Sequence, residues 1–313
     1  MQYRRLGKTE LEVSEIGFGA WQLGNGDQWG GMTDATAHDL VAAALDQGCT
    51  LFDTAPNYAL TRSETLLGEA LKGRRDQVVL ISKFGHHPDG STDYGVQAFW
   101  QSLESSLQRL QTDYLDAVLI HSPPMAQLNG QDPIWAAMKD AQQQGKIRFY
   151  GASTDYAHEV REVLDTTDSQ VLELLFNVLH QDVRLAFDRV RRDDVGVITK
   201  VPLDSGWLSG QYSAQTRFEG VRERWSQADI ERRADLVNQL NWLTENDHPL
   251  AEQALAYLLS YQEVSCVIPG LRSMTQLNTN FAAAGCRISN ADRQRLEAFW
   301  DEFTDHGQHL LPW

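Results

Sequence analysis

Cysteine is scarce in this sequence: there are three in 313 residues, and no two of them form a Cys-x-x-Cys pair. Because Cys49, Cys266 and Cys286 lie far apart along the chain, a zinc site is not expected, and a reducing cytosol is the simplest setting. The first segment, Met1–Val13, has no apolar run after its arginine pair, so it does not resemble a signal peptide. We therefore expect a cytoplasmic protein.

Positive charge is also scarce, with 27 Lys and Arg against 43 Asp and Glu and a formal net charge of −16. Such a surface repels phosphate backbones and anionic membranes, so nucleic acid and membrane partners are not expected. No apolar run approaches the roughly 18 residues that a transmembrane helix needs. His86 and His87 have no third ligand at a sensible spacing, so we expect no metal site.

A glycine-rich phosphate loop is missing as well. Gly17–Gly19 has Gln22 where a dinucleotide fingerprint needs its third glycine, and Gly24–Gly26 has Trp29 at that place. There is no Walker loop either. These absences argue against an open, doubly wound sheet, which is the main rival among folds that alternate strands and helices.

What the sequence does have is a regular alternation of short apolar runs with segments of helical periodicity. Met1–Leu6 and Leu11–Ile16 flank Gly7-Lys8-Thr9 and predict an N-terminal β-hairpin. Eight buried strands are then predicted at Ile16–Ala20, Thr50–Thr54, Val78–Phe84, Tyr114–His121, Phe149–Ser153, Leu172–Asn177, Gly196–Val201 and Ser265–Pro269. The pattern favours the α/β class and a single (β/α)₈ barrel over residues 1–313.

Two connections are long for a compact domain, Ser122–Pro133 and Leu203–Gln227. Loops of this length are usually functional or disordered. Both follow the carboxyl ends of predicted strands, which is the rim where barrel enzymes carry their active sites. At another strand end, Asp155 is expected to cap the helix that begins at Tyr156.

Three polar residues end consecutive predicted strands: Asp53, Lys83 and His121. Since neighbouring strand ends converge in a barrel, we expect these side chains to meet, with Tyr58 on the loop above them. Each residue alone has an ordinary structural explanation, such as capping or loop packing. Together they predict a catalytic site, because a buried lysine needs a partner charge that Asp53 can supply.

The chemistry that this group predicts is proton donation. A cation beside a phenol favours the phenolate and so lowers the pKa of Tyr58 from its usual value of about 10. His121 can hydrogen-bond a carbonyl oxygen and orient it. The cluster therefore suits the reduction of a carbonyl group, with Tyr58 delivering the proton.

Several blocks that together cover nearly the whole chain resemble the aldo-keto reductase family. They are Phe52–Tyr58, Leu103–Leu110 followed by Asp113–Asp116 and His121, and Ile268–Ser273 followed by Gln276 and Asn280. The resemblance implies a tetrad of Asp53, Tyr58, Lys83 and His121, and NADP(H) bound across the barrel mouth as the cofactor of an oxidoreductase.

The resemblance also implies cofactor contacts. Ser153, Asn177 and Gln181 would hold the nicotinamide carboxamide, and Arg272 would read the adenosine 2′-phosphate, for which a guanidinium fork is well suited. The loop over the pyrophosphate and the adenosine end would add Pro202, Leu203, Ser205, Gly206, Leu208, Gly210, Gly270, Gln276 and Asn280. Small residues in that loop let backbone N–H groups approach phosphate.

Three positions depart from the family pattern. Lys200 stands where an aromatic residue often stacks on the nicotinamide, Ala59 where a glycine commonly follows the tyrosine, and Thr279 where an acidic residue often helps to hold the adenine. Trp21, with Tyr58 and His121, is expected to contact a small carbonyl substrate. Three more tryptophans near the rim, Trp29, Trp207 and Trp313, either line the pocket or pack under loops.

Two other functions stay open. The first is a non-catalytic, NADP-binding regulatory subunit of the same fold. The second is a cofactor-free aldolase or isomerase that would use Lys83 as a Schiff-base amine. The sequence identifies neither the substrate nor the oligomeric state.

Overall fold

The computed structural model describes residues 1–244 and 248–312, apart from the side chain of Asp27. Trp313, one of the four tryptophans expected near the rim, lies outside the described residues. A two-stranded antiparallel hairpin comes first, formed by β1 (Tyr3–Arg5) and β2 (Glu12–Ser14), with Tyr3 opposite Ser14. The predicted N-terminal hairpin is therefore confirmed.

Eight parallel strands follow, and each pairs with the next along the chain. They are β3 (Phe18–Gly19), β4 (Leu51–Asp53), β5 (Val79–Phe84), β6 (Leu115–His121), β7 (Ile147–Thr154), β8 (Val171–Leu175), β9 (Gly196–Lys200) and β10 (Val264–Val267). The last strand returns to the first: Gly17 N donates to Val267 O at 2.8 Å, and Val267 N donates to Glu15 O at 2.8 Å. The predicted barrel is confirmed, and every predicted strand overlaps an observed one.

Helices cover the outside of the sheet. They are α1 (Gly26–Trp29), α2 (Asp34–Asp46), α3 (Arg62–Ala70), α4 (Val96–Arg109), α5 (Met125–Leu128), α6 (Pro133–Gln143), α7 (Ala157–Thr166), α8 (Phe187–Arg192), α9 (Gln227–Asn238), α10 (Leu250–Leu259), α11 (Met274–Ala282) and α12 (Asn290–Thr304). The cap expected from Asp155 is wrong. Tyr156 caps α7 together with Glu159 Oε2, which accepts from Tyr156 N at 3.1 Å, so the Asp155 side chain is available elsewhere.

The interior of the barrel holds a separate apolar cluster beneath its rim. Its members include Leu51, Ile81, Leu119, Val171 and Ile198, which come from five different strands. Side chains on a strand alternate between its two faces. The residue two positions further along each strand therefore also faces the barrel interior, one layer nearer the rim.

Five interior positions are found this way, at Asp53, Lys83, His121, Glu173 and Lys200. Ser153 joins them on β7, two residues after Gly151. The strand register supports this arrangement, since His121 is paired with Ser153 and Ser153 with Glu173. We call these six side chains the polar layer.

Gly151 fits its place in the barrel wall because it has no side chain. A Cβ added there would lie 1.7 Å from Val171 O. We expect Gly151→Ala to destabilise the protein by about 2 kcal/mol or more, seen as a drop of several degrees in the thermal midpoint.

The matched control for that variant is Gly31→Ala, because an added Cβ at Gly31 would meet nothing within 4 Å. Thermal unfolding followed by circular dichroism compares the two. Equal midpoints for both variants would show that the close approach of β7 and β8 is absent.

Candidate active site

The Lys83 ammonium is the centre of the polar layer and is 1% exposed. Its Nζ lies 2.5 Å from Asp53 Oδ1 and 2.7 Å from Asp53 Oδ2, and it donates to Thr54 O at 3.2 Å. A second carboxylate is also in reach, with Glu173 Oε2 at 3.1 Å. The predicted Lys83–Asp53 pair is present, but Glu173, which was not predicted, makes it a group of three.

The pKa values in this group follow from burial and from the number of charges. Burial alone would lower the pKa of Lys83, but Asp53 and Glu173 outweigh it and hold that pKa above its usual value. Burial, and then repulsion from Glu173, raise the pKa of Asp53 although Lys83 opposes them. Burial would raise the pKa of Glu173 as well, but Lys83 and Lys200 bring it below its usual range. Lys83 is therefore a permanent cation.

Tyr58 lies directly above this group. Its ring centroid is 5.2 Å from Lys83 Nζ and 6.1 Å from the ring of Trp21, which stacks on it. Tyr58 opens a 3-10 turn, Tyr58–Thr61, in which Ala59, Leu60 and Thr61 have φ of 51°, 52° and 77°. The chain thus places three L-residues in the left-handed region, one of them Ala59, where the family commonly has glycine, and the loop beside Tyr58 has its own shape.

The predicted sign of the Tyr58 pKa shift is wrong. Burial raises the pKa of Tyr58 above its usual value, and Lys83 opposes this but is outweighed because Asp53 and Glu173 add to the effect of burial. The prediction considered one carboxylate beside one ammonium. The structure has two carboxylates, so a phenolate at Tyr58 would be a third anion around the same cation.

His121 completes the tetrad, with its ring edge-on to Tyr58 at 5.8 Å between centroids. His86 stacks on its other side at 4.5 Å, and Tyr94 Oη links the two, lying 2.9 Å from His86 Nε2 and donating to His121 O at 3.1 Å. Burial, followed by Lys83, His86 and Lys200, lowers the pKa of His121 well below its usual value. The imidazole is therefore neutral at neutral pH and can donate a hydrogen bond.

Lys200 occupies the opposite side of the polar layer. Its Nζ donates to Ser153 Oγ at 2.8 Å and to Ser122 Oγ at 3.0 Å, and it lies 2.8 Å from Asp155 Oδ1. Ser153 Oγ in turn donates to Glu173 Oε1 at 3.1 Å. Five of the six side chains of the polar layer thus form one continuous network, from Asp53 through Lys83, Glu173 and Ser153 to Lys200.

A cavity of about 570 Å³ opens above the polar layer. Twelve of the predicted site residues line it: Trp21, Asp53, Tyr58, His121, Pro202, Leu203, Ser205, Gly206, Gly270, Arg272, Gln276 and Asn280. Lys83 lies beneath its floor, while Leu208 and Gly210 belong to the same loop as Ser205 but do not line the cavity. Trp29 also lines it, whereas Trp207 is fully buried against the rings of Tyr212 and Trp225.

Ser153, Asn177 and Gln181 do not line this cavity, and most of their polar atoms bond other parts of the protein, while Gln181 Oε1 is buried without a partner among the described residues. Ser153 bonds Glu173 and Lys200, as described above. Asn177 Nδ2 donates to Val201 O at 2.9 Å, and its Oδ1 accepts from Leu179 N at 2.8 Å. Gln181 Nε2 donates to the carbonyls of Val178 and Leu296, both at 3.0 Å. The contact of these three residues with the nicotinamide carboxamide stays a prediction.

The residues at the far end of the cavity fit an anionic nucleotide. Ser205 Oγ, Arg272 Nε and Arg222 Nε are buried and have no hydrogen-bond partner within the described part of the chain, yet all three residues line the cavity. Backbone with φ of 53° at Ser205 and 97° at Gly206 turns the loop there. Two guanidinium groups and a hydroxyl facing the same space are suitable partners for phosphate oxygens.

Sequence reasoning missed part of this site. The most important omission is Glu173, and others are Asn57, His86 and Arg222, which all line the cavity. Glu173 could have been found from the sequence, because it is a polar residue in an apolar strand and lies two positions after Val171, on the same face of that strand.

Among the described residues, no group of three or more His, Cys, Asp or Glu side chains is arranged to hold a metal ion, and no helix is long and apolar enough to cross a membrane.

Known proteins are similar to this chain over nearly its whole length. The model of the aldo/keto reductase family matches residues 15–301. Over 92% of its length the chain is 28% identical to the NADH-specific methylglyoxal reductase of Escherichia coli (strain K12), covering 94% of that protein. It is 29% identical over 90% of its length to a probable voltage-gated potassium channel subunit beta of Oryza sativa subsp. japonica, covering 91% of it.

Solved structures agree with these sequence matches. The holo form of aldo-keto reductase AKR11C1 from Bacillus halodurans superimposes with a TM-score of 0.80 at 27% identity, covering 96% of each chain.

The charge balance around Lys83 can be tested by removing the ammonium. Lys83→Met leaves Asp53 and Glu173 buried without their common partner, so we expect a loss of about 3 to 5 kcal/mol of stability. Without Lys83 the pKa values of both carboxyl groups rise above their unfolded values. A carboxyl group whose pKa is higher in the folded than in the unfolded state stabilises the folded protein at low pH and loses this effect as pH rises. The destabilisation of Lys83→Met should therefore grow between about pH 5 and about pH 8.

Thermal unfolding at both pH values measures this. Lys139→Met is the control, because Lys139 is exposed and lies 3.7 Å from Asp168 on the surface, where a pair contributes roughly 1 kcal/mol at most. A loss for Lys83→Met that does not depend on pH would contradict the shared charge.

Proposed function

The chain belongs to the aldo/keto reductase family, and from that premise we propose that it reduces the carbonyl group of a small aldehyde or ketone with NADPH, or oxidises the matching alcohol. The observation that carries the proposal is the Tyr58 phenol, placed beside the Lys83 ammonium and the His121 imidazole on the floor of an open cavity.

The cofactor, when bound, supplies a hydride to the carbonyl carbon. The protein must then orient the carbonyl oxygen and protonate it. Neutral His121 can donate a hydrogen bond to that oxygen, and Tyr58 Oη delivers the proton. Lys83 stabilises the phenolate left behind, and Asp53 fixes the position of Lys83 through two short contacts. The phenolate regains its proton from water at the cavity mouth.

The state of Lys83 speaks against a Schiff-base mechanism. A nucleophilic lysine must be a neutral amine, and such amines have a lowered pKa. Here two carboxylates raise the pKa of Lys83 above its usual value, although burial alone would lower it. Its Nζ also lies under the cavity floor, in contact with Asp53 and Glu173. An aldolase or isomerase that uses Lys83 as an amine is therefore not supported.

For the adenosine end we propose Arg272 as the contact for a 2′-phosphate, with Gly270, Gln276 and Asn280 beside it. The backbone N–H of Arg272 donates to Gln276 Oε1 at 2.8 Å, which links these two residues. Its Nη2 lies so close to Gly30 that a Cβ there would be 2.9 Å away. Nearer the middle of the cavity, Pro202, Leu203, Ser205 and Gly206 would lie against the pyrophosphate. The relative in Escherichia coli is described as NADH-specific, so the preference needs its own test.

A non-catalytic regulatory subunit is the second candidate, favoured by the similarity to a probable channel subunit beta. The tetrad argues for the enzyme, because a protein that only senses a nucleotide has no need of a phenol, an ammonium and an imidazole arranged around a reactive oxygen. A steady-state assay of NADPH oxidation with a panel of aldehydes and ketones separates the two. Tight NADPH binding without turnover on any carbonyl would favour the regulatory role.

Tyr58→Phe tests the proton donor. We expect kcat to fall at least about 100-fold, because the proton has no other donor in place, while NADPH still binds, as measured by quenching of tryptophan fluorescence. Tyr150→Phe is the control, since Tyr150 is buried on β7 against Trp135 and does not line the cavity. Unchanged turnover in Tyr58→Phe would refute the assignment.

Arg272→Ala tests the cofactor preference. Loss of the guanidinium should raise the Kd for NADPH more than the Kd for NADH, because only NADPH carries the 2′-phosphate. Fluorescence titration with both nucleotides measures the two constants. Arg192→Ala on the exposed face of α8 should change neither. Equal weakening for NADPH and NADH would remove Arg272 from this role.

A further inference from the structure

Glu173 is a buried carboxyl group on the cavity floor that the proposed chemistry does not use. It lies on β8 and is 1% exposed. Its Oε2 is 3.1 Å from Lys83 Nζ, and its Oε1 accepts from Ser153 Oγ at 3.1 Å. Asp53 already contacts the same ammonium through both oxygens. Glu173 is therefore a second carboxylate on a cation that one carboxylate neutralises.

We propose that Glu173 is a positioning residue that sets the acid strength of the Tyr58 phenol through Lys83. This inference rests on the function proposed above, in which Tyr58 donates the proton. With Asp53 alone, the charges beneath the phenol would cancel. With Glu173 present a second carboxyl group shares that ammonium, and a phenolate would place a further anion beside it. The phenol therefore holds its proton more tightly, and the resting site carries the proton that reduction consumes.

The groups around Glu173 are consistent with an electrostatic effect of its carboxylate on the Tyr58 phenol. Asp53 on β4 and Lys83 on β5 face it from one side, and Ser153 on β7 and Lys200 on β9 face it from the other. Lys200 is itself paired with Asp155 at 2.8 Å, and the Ser153 hydroxyl lies between Lys200 and Glu173. Glu173 and Tyr58 line the same cavity, and Glu173 acts with burial and Asp53 to raise the pKa of Tyr58.

The proton balance of the step is simple. The O–H bond of Tyr58 breaks, and a new O–H bond forms on the oxygen of the product alcohol. The resulting phenolate takes a proton from water, which restores the phenol. Glu173 exchanges no atom with the substrate. Its effect is on how readily the Tyr58 proton leaves, and hence on the balance between carbonyl reduction, which needs the phenol, and alcohol oxidation, which needs the phenolate.

Glu173→Gln tests this, because it removes the charge and keeps the shape and one oxygen for Lys83. In the cofactor-free protein, the tyrosinate absorbance of Tyr58 is obtained by subtracting the titration of a Tyr58→Phe protein in the same background. We expect this signal to move to lower pH by about one pH unit or more in Glu173→Gln. The pH profile of alcohol oxidation should move in the same direction.

Two further variants separate charge from structure. Glu173→Asp keeps the negative charge and should return the Tyr58 titration close to that of the unmodified protein. Glu64→Gln is the matched control. Glu64 is also fully buried, ion-paired with Arg109 at 2.6 Å and hydrogen-bonded by Ser82 Oγ, but it does not line the cavity. It should lower the thermal midpoint and leave the Tyr58 titration unchanged.

A folded Glu173→Gln protein with an unshifted Tyr58 titration would overturn the inference. Glu173→Met, of similar length and without charge, serves in its place if the Gln variant does not accumulate as folded protein. Failure of the proposed function has a different signature, since Tyr58→Phe would then retain turnover. Loss of turnover in Tyr58→Phe together with an unshifted titration removes only the role of Glu173.

Discussion

The contact between one ammonium and two carboxylates, at Lys83, Asp53 and Glu173, is the constraint around which the upper barrel is organised. Removing three charges from water costs several kcal/mol for each, and the cost is offset only when geometry and hydrogen bonds are good. Parallel strands supply that geometry, because β4, β5 and β8 end at one rim with their alternate side chains facing inward. Burial, together with this charge group, keeps His121 neutral and Tyr58 protonated.

Much of this arrangement can be predicted from sequence, because period-two alternation is a local property. Asp53, Lys83 and His121 stand at the ends of apolar runs, and each lies two residues after a side chain of the interior apolar cluster. Glu173 obeys the same parity but lies inside an apolar run, with Leu172 and Leu174 on either side, so a search limited to strand ends overlooks it. Burial of the phenol, the largest cause of its raised pKa, was left out as well, so the predicted sign of the Tyr58 pKa shift was wrong.

The hydrogen-bond partners of residues near loops are harder to predict from sequence. The side chains of Asn177 and Gln181 bond backbone groups of Val201 and Leu296, which are distant in sequence. No local pattern shows where a loop carbonyl will lie. The side chain of Asp155 is a similar case. A capping position was expected from its place before α7, but Glu159 takes that role, and Asp155 instead pairs with Lys200. The face of a strand on which a side chain lies follows from its position in the local sequence, whereas the hydrogen-bond partners of a loop amide depend on the tertiary fold.

Lys200 shows why the polar layer has to be considered as one unit. An aromatic side chain at this position would offer a flat face and no charge, and Glu173 would then have Lys83 as its only cation. With Lys200 present, Ser153 connects the two sides: it accepts from Lys200 and donates to Glu173. Asp155 balances the added cation in turn. The barrel interior thus holds the Lys200 cation and the Glu173 carboxylate as partners in one network. Replacing either residue alone would leave the other as a buried charge with fewer partners, and this costs more stability than burying the two together.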